Sequence, residues 1–233
     1  MSFYAAFIDL KKYACLVVGA GEVGRRKISS LLECEPASLL VVDPAPPDLA
    51  RNDLWQNPLL NYRQRKFDPA DVLGMNLVFA ATSSPEVNHL IAKCCRHHGI
   101  LCNSATAPED GNFIVPSIVR RGRLELALST GGASPALTKV LRKELEAWLD
   151  TGYTSLVHLL DKIREPIIAL GQDSTYNATL FRALCSEPFR GRLAHCLTEK
   201  DKAKSVKLLE TVLPADLHSD LEQLVAEILD ELG

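Results

Sequence analysis

Ala14-Cys15-Leu16-Val17-Val18-Gly19-Ala20-Gly21-Glu22-Val23-Gly24 is the stretch on which the reading of this chain turns. A short apolar run leads into three glycines spaced G-x-G-x-x-G, and a helical pattern over 22–34 follows. Strand, glycine turn and helix in that order build a dinucleotide site. The first glycine makes the turn, the second lets the backbone approach a pyrophosphate, and the third lets helix pack on strand. The helix N-terminus then offers N–H groups and partial positive charge to phosphate. Asp43 ends a second apolar run at 39–42, 19 residues beyond Gly24. An acid there accepts hydrogen bonds from the ribose hydroxyls of NAD and repels the 2′-phosphate of NADP, and no arginine stands beside it to reverse that preference. The same aspartate also suits a cap on the turn Pro44-Ala45-Pro46-Pro47. The expected cofactor is NAD, surrounded by Gly19, Gly21, Glu22, Val23, Gly24, Asp43, Pro44 and Ala45.

Working outward, strand-like runs recur at 60–65, 77–81 and 100–103, and 86–98 is helical with Val87, Leu90, Ile91 and Cys94 on one face. Buried runs joined by helices indicate a parallel sheet covered on both sides. Ala80-Ala81-Thr82-Ser83-Ser84 leaves room for a cofactor at the end of the fourth run, although Ser84 before Pro85 equally suits a helix cap. Beyond 112 the pattern changes. Segments 113–119 and 123–129 read as strands joined by a turn at Arg120-Arg121-Gly122. Thr130-Gly131-Gly132-Ala133-Ser134-Pro135 then opens a helix to about Asp150, with Ser134 as N-cap and Pro135 as first helical residue. Helices are expected at about 153–170, 175–186, 199–212 and 215–231, the last with Leu221, Leu224, Val225, Ile228 and Leu229 on one face. The fold class expected is α/β: a Rossmann-like parallel sheet over 1–112, a small α+β segment over 113–150, and an all-helical domain over 151–233.

Composition narrows the functional classes. A chain of 233 residues, 47% hydrophobic and 24% charged, has ample material for a buried core. Its formal net charge of −3 gives no reason to expect nucleic acid or an anionic membrane as partner. Seven cysteines without a disulfide-like rhythm read as reduced thiols of a cytoplasmic protein. No basic-then-apolar leader and no apolar run of transmembrane length is found. The six histidines show no ligand spacing, so no metal site is expected.

The run from Val18 through Arg25-Arg26-Lys27 resembles the opening of the siroheme synthase N-terminal family, which carries precorrin-2 dehydrogenase and often sirohydrochlorin ferrochelatase activity. The resemblance continues through Ala80-Ala81-Thr82 with Val87-Asn88, through Cys102-Asn103, and through Asn112-Phe113-Ile114-Val115-Pro116-Ser117-Ile118. It ends with Ser129 to Leu137 and the helix bearing Leu141-Arg142-Lys143-Glu144-Leu145-Glu146. It covers about residues 1–150; the tail matches only in general character. The resemblance implies an NAD domain, a middle segment that makes a homodimer, and a helical C-terminal domain. It also implies a tetrapyrrole substrate, precorrin-2, that loses a hydride to NAD and becomes sirohydrochlorin. Ala81, Thr82 and Asn103 join the cofactor-binding candidates on this basis.

A substrate with eight carboxylates calls for cations. Arg120, Arg121 and Arg123 at the expected hairpin turn, and Lys139, Arg142 and Lys143 on the following helix, are the candidates. Ser129, Thr130, Gly131, Gly132 and Ser134 offer backbone N–H groups suited to a carboxylate, and they equally suit an ordinary capped helix start. The family's catalytic aspartate falls at Thr106 when Cys102-Asn103 and Ala107-Pro108 are aligned. A threonine hydroxyl is no carboxylate base near neutral pH and a poor ligand for ferrous iron. Asp110 follows closely and stands as a substitute proton acceptor. The expectation is therefore a dehydrogenase with ferrochelatase activity weak or absent. The alternatives are a bifunctional dehydrogenase and ferrochelatase, a non-catalytic NAD-binding regulator, and an unrelated NAD-dependent dehydrogenase.

Overall fold

The computed structural model describes residues 3–48, 52–149 and 151–231. The chain divides into two compact units, Met1–Val115 and Pro116–Gly233.

In the first unit five parallel strands, β1 (Ala14–Val18), β2 (Ser38–Asp43), β3 (Leu60–Gln64), β4 (Leu77–Ala80) and β5 (Leu101–Ser104), lie in the order β3-β2-β1-β4-β5. The order reverses between β1 and β4, which is where open α/β sheets place their ligands. The three inner strands β1, β2 and β4 are short apolar runs because both their faces are covered, whereas the edge strands β3 and β5 carry polar and exposed residues. One face of the sheet, with Cys15, Val17, Leu39, Val41, Leu77 and Phe79, packs with Ile28 and Leu31 of α1 (Glu22–Leu32). The other, with Leu16, Val18, Val42, Val78 and Ala80, packs with Ile91, Ala92 and Cys95 of α3 (Pro85–His97). A four-residue helix, α2 (Asn52–Trp55), lies between β2 and β3.

The buried face of α3 differs from the expected one. Leu90 is 42% exposed, and the buried residues are Asn88, Ile91, Ala92 and Cys95. A polar side chain occupies the inner face because its hydrogen bonds are all met there, and apolar spacing alone passes over such a position.

The second unit opens with an antiparallel hairpin, β6 (Ser117–Arg121) and β7 (Leu124–Leu128). The turn is Gly122-Arg123, not Arg120-Arg121-Gly122 as expected. Gly122 at φ +56° allows a two-residue turn, so pairing runs on to Arg121 opposite Leu124. Segment 113–116, expected as strand, precedes β6. Helix α4 (Pro135–Trp148) follows, with Ser134 Oγ accepting from the Leu137 N–H at 3.2 Å as the expected N-cap. The expected helix end at Asp150 lies outside the described residues.

Five helices complete the unit: α5 (Thr151–Ala169), α6 (Ser174–Cys185), α7 (Phe189–Thr198), α8 (Lys202–Glu210) and α9 (His218–Glu231). Their shared core includes Leu159, Ile163, Leu184, Leu193, Leu197, Leu209, Leu221, Val225 and Ile228. Helix α7 was not expected from sequence. Pro188 before it and Gly191 inside it read as loop punctuation, and only the buried contacts of Leu193, Ala194, Cys196 and Leu197 reveal it as helix.

Candidate functional site

The glycine turn is shaped by two different constraints. Gly19 has φ +97°, and a Cβ there would lie 2.5 Å from the Ala81 carbonyl oxygen; a Cβ on Gly24 would lie 1.8 Å from the Gly19 carbonyl oxygen. These two glycines are demanded by the protein's own packing, helix α1 against the ends of β1 and β4. Gly21 is different. A Cβ there would meet nothing within 4 Å, and its φ of −65° suits any residue. Open space above Gly21 fits a pyrophosphate that must touch the backbone. Gly21 is also the N-cap of α1 without a side-chain hydrogen bond, which leaves the first N–H groups of that helix to a ligand. Glu22 and Val23 sit in this exposed first turn.

Asp43 reaches from the end of β2 to the glycine turn. Its Oδ2 accepts the Ala20 N–H at 2.6 Å and its Oδ1 accepts the Ala45 N–H at 2.7 Å. It is therefore both the turn cap and a clamp on the phosphate loop. A carboxylate has about four acceptor positions, so two remain for the ribose hydroxyls. Pro44 and Ala45 are exposed beside it. The phenol of Tyr62, in the middle of β3 and opposite Val41, donates to the Ala45 carbonyl at 2.7 Å and packs edge-on against Trp55, with centroids 5.3 Å apart. Burial, then the charge of Asp43, push that phenol's pKa up. The fold also brings up an arginine that sequence did not place. Arg25 Nη1 lies 3.4 Å from the Ala20 carbonyl, with its charge directed to Asp48 at 3.7 Å. Tyr62 and Arg25 carry no local signal, because only the strand order brings Tyr62 near Asp43 and only the first turn of α1 brings Arg25 to the Ala20 carbonyl.

At the ends of β4 and β5 the organising residue is Asn88 of α3. Its Oδ1 accepts the Thr82 N–H and hydroxyl at 3.1 and 2.8 Å, and its Nδ2 donates to the Thr82 carbonyl at 3.0 Å and to Thr106 Oγ1 at 2.8 Å. Thr106 is thus tied to the loop holding Ala81 and Thr82. Asp110 is tied elsewhere, to Nδ1 of exposed His89 at 3.1 Å. The two candidate catalytic residues are held by adjacent residues of α3, one buried and one exposed. Asn103 donates to the Phe113 carbonyl at 3.1 Å. Asn112 exchanges bonds with the backbone of Cys102 and Ile100, so this block finishes the open edge of β5. Ser84 caps α3 by accepting from the Val87 N–H at 3.3 Å. A cavity at the other end of the sheet, bordered by Ile8, Tyr13, Asn76, His98 and Leu101, is remote from all these groups.

In the second unit most candidate cations already have partners. Arg120 pairs with Glu125 directly across the hairpin at 2.7 Å. Arg121 donates to the carbonyls of Leu149, Glu146 and Arg120 at 2.9, 3.0 and 2.9 Å, which makes it a cap on the end of α4. Arg123 pairs with Asp161 and Arg142 with Glu146. Lys139 and Lys143, one turn apart on α4, are exposed and make no ion pair among the described residues. The turn before α4 satisfies much of its own backbone: Ser129 Oγ accepts the Gly131 N–H, and Thr130 Oγ1 accepts the Ser134 N–H. Gly131 and Gly132 take positive φ, 62° and 88°, to make that turn. Among the described residues no group of His, Cys, Asp and Glu is arranged to hold a metal ion, and no helix is long and apolar enough to cross a membrane.

The family model described as putative NAD(P)-binding matches residues 6–117, and the sirohaem biosynthesis protein central model matches 121–147. The siroheme synthase of Thioalkalivibrio sulfidiphilus is 35% identical over 189 residues, covering 81% of this chain and 38% of the relative. That of Nitrosomonas europaea is 35% identical over 167 residues, 72% of this chain and 35% of the relative. The chain thus spans little more than a third of the length of these relatives. Among solved structures, SirC, precorrin-2 dehydrogenase, superposes with a TM-score of 0.70 at 26% identity, over 97% of this chain and all of SirC. Glycine turn, uncapped helix end and family model agree, and NAD is the cofactor of the first unit. With both family models matched in order and the fold shared over its length with SirC, the chain belongs to the siroheme synthase N-terminal family.

Proposed function

We propose that the chain is an NAD-dependent precorrin-2 dehydrogenase that forms sirohydrochlorin. The observation that carries this reading is the similarity to SirC over 97% of the chain, joined to a glycine turn that fits a pyrophosphate. When bound, NAD⁺ accepts the hydride, and sirohydrochlorin, NADH and a proton are the products. The chain's own part is to bind and orient. Gly21 and the first N–H groups of α1 hold the pyrophosphate, and Asp43 holds the ribose and disfavours NADP. Ala81, Thr82 and Asn103 border the cofactor at the strand ends. Lys139 leads the cations offered to substrate carboxylates, since Arg121 is spent on carbonyls and Arg120 and Arg142 are paired.

Ferrochelatase activity is weak or absent in this reading. Thr106 stands where a carboxylate would assist metal delivery, and Asp110 is held by His89 on another side of α3. We also propose a homodimer formed through the second unit. Helix α4 has no buried residue, and Leu137, Val140 and Trp148 on one face are 48, 51 and 59% exposed.

The test is anaerobic: precorrin-2 with NAD⁺, following sirohydrochlorin and NADH together. A coupled one-to-one rise is expected; NADH binding without turnover overturns the dehydrogenase in favour of a regulatory domain. Insertion of Fe²⁺ or Co²⁺ into sirohydrochlorin well above the uncatalysed rate overturns the loss of chelatase, and Thr106→Asp is the informative companion.

A further inference from the structure

Asn88 is fully buried on α3, next to exposed His89. A buried carboxamide is costly unless all its groups are paired, so its bonds define its role. Its Oδ1 faces the Thr82 N–H and its Nδ2 faces the Thr82 carbonyl. A backbone N–H only donates and a carbonyl only accepts, so these two bonds fix which end of the amide is oxygen. One Nδ2 proton goes to that carbonyl, and the other goes to Thr106 Oγ1 at 2.8 Å. Thr106 Oγ1 must then act as acceptor toward Asn88, and its own hydroxyl proton points away from α3. No other partner of that hydroxyl is found among the described residues. Thr106 is exposed in the loop after β5, and Thr82 lies in the loop after β4, beyond the switch between β1 and β4 where such sheets bind ligands.

We propose that Asn88 is a positioning residue that holds the Thr106 hydroxyl as a hydrogen-bond donor to the substrate, and that the acceptor is a carboxylate of the tetrapyrrole. The proposal rests on the dehydrogenase reading above for the identity of that substrate. A hydroxyl donating to a carboxylate makes a short, charge-assisted bond, whereas a carboxylate at position 106 would repel the same group. A hydroxyl already accepting from Asn88 is also poorly placed to take a proton from substrate. Position 106 in this chain therefore serves recognition, and its loss acts on KM more than on kcat.

The test is steady-state kinetics on the full chain with precorrin-2 and NAD⁺ under anaerobic conditions. Thr106→Val removes the hydroxyl and keeps the branch; the KM for precorrin-2 rises roughly tenfold or more, the effect of losing one bond to a charged acceptor. The kcat and the KM for NAD⁺ stay within about twofold in the same variant. Thr106→Ser brings the precorrin-2 KM most of the way back. Asn88→Asp turns the donor into an acceptor, so Thr106 donates inward and KM rises as in Thr106→Val. The double variant is no worse than either single one, because both remove the same bond. If Asn88→Asp fails to fold, the Val and Ser pair at 106 decides. An unchanged precorrin-2 KM in Thr106→Val, a loss confined to kcat, or a shift in the NAD⁺ KM each overturns the donor role. Absence of turnover in the unaltered chain overturns the dehydrogenase reading itself, and with it this substrate; turnover with an insensitive position 106 overturns only the proposal.

Discussion

Gly21→Ala and Gly24→Ala separate the two constraints on the glycine turn. In Gly24→Ala the added methyl would lie 1.8 Å from the Gly19 carbonyl oxygen, backbone against backbone with no flexible side chain to yield. Gly19 is no more able to move, since the Ala81 carbonyl lies 2.5 Å from where a Cβ on Gly19 would stand and its φ of +97° leaves little choice. The clash is relieved only by shifting α1 off the sheet, which costs about 3 kcal/mol, the top of the usual overpacking range. At 2–4 °C per kcal/mol the midpoint of melting falls by roughly 10 °C. In Gly21→Ala the methyl enters space that holds no protein atom, at a φ of −65° open to any residue. Its melting midpoint stays within about 2 °C of the parent, since a compatible Gly→Ala change is neutral to slightly stabilising. NADH affinity, by contrast, falls on the order of tenfold to a hundredfold, because the methyl occupies the pyrophosphate's approach. Thermal melting and an NADH fluorescence titration read the two effects on the same samples. Normal NADH binding by Gly21→Ala, or normal melting of Gly24→Ala, would refute the division of roles.

Asp43→Asn keeps one acceptor and loses the charge, so NADH binds more weakly and its preference over NADPH drops about tenfold or more, measured by parallel titrations. Arg121→Ala removes two bonds to carbonyls at the end of α4 and one to the Arg120 carbonyl, and lowers stability by about 2 kcal/mol; a raised substrate KM at unchanged melting would instead make Arg121 a substrate ligand. The Arg65 guanidinium, bonded to Asp71 at 2.6 and 2.8 Å, and the Asp68 N–H hold the Asp71 carboxyl below the ordinary aspartate range against the effect of burial. A depressed folded pKa gives stability that is present above the unfolded value of about 4 and lost as pH falls through the folded value. Melting followed from pH 7 down to 3 therefore drops below about pH 4, and Asp71→Asn flattens part of that limb while lowering the neutral plateau. Thiol labelling of the native chain at pH 8 modifies exposed Cys185 first and leaves Cys15, whose pKa burial pushes up to about 11, untouched until unfolding.

Much of the first unit was legible because its signals are local. Apolar runs of four to six residues mark strands covered on both faces, and Gly19 and Gly24 mark a turn that few other residues can make. Ser134-Pro135 announced its helix, since an N-cap hydroxyl and a proline at the first position act within one turn. The failures have separate causes. Leu90 was assigned inward and Asn88 was left without a role, because a polar residue is buried only when distant groups satisfy it. The hairpin arginines were placed in a turn that Gly122 closes one residue later. Helix α7 was hidden behind Pro188 and Gly191, and buried contacts override weak local propensity there.

The sequence by itself determined the α/β order, the dinucleotide turn, the acid at the end of β2 and the family, because each of these is written in residues close together along the chain. Only the tertiary structure decided that Asp43 grips the loop it was expected to face, that Arg121 caps α4, and that Asn88 joins Thr82 to Thr106. Those assignments depend on the direction of hydrogen bonds between elements many residues apart. Such directions exist only once the strands have stacked and the helices have settled against them.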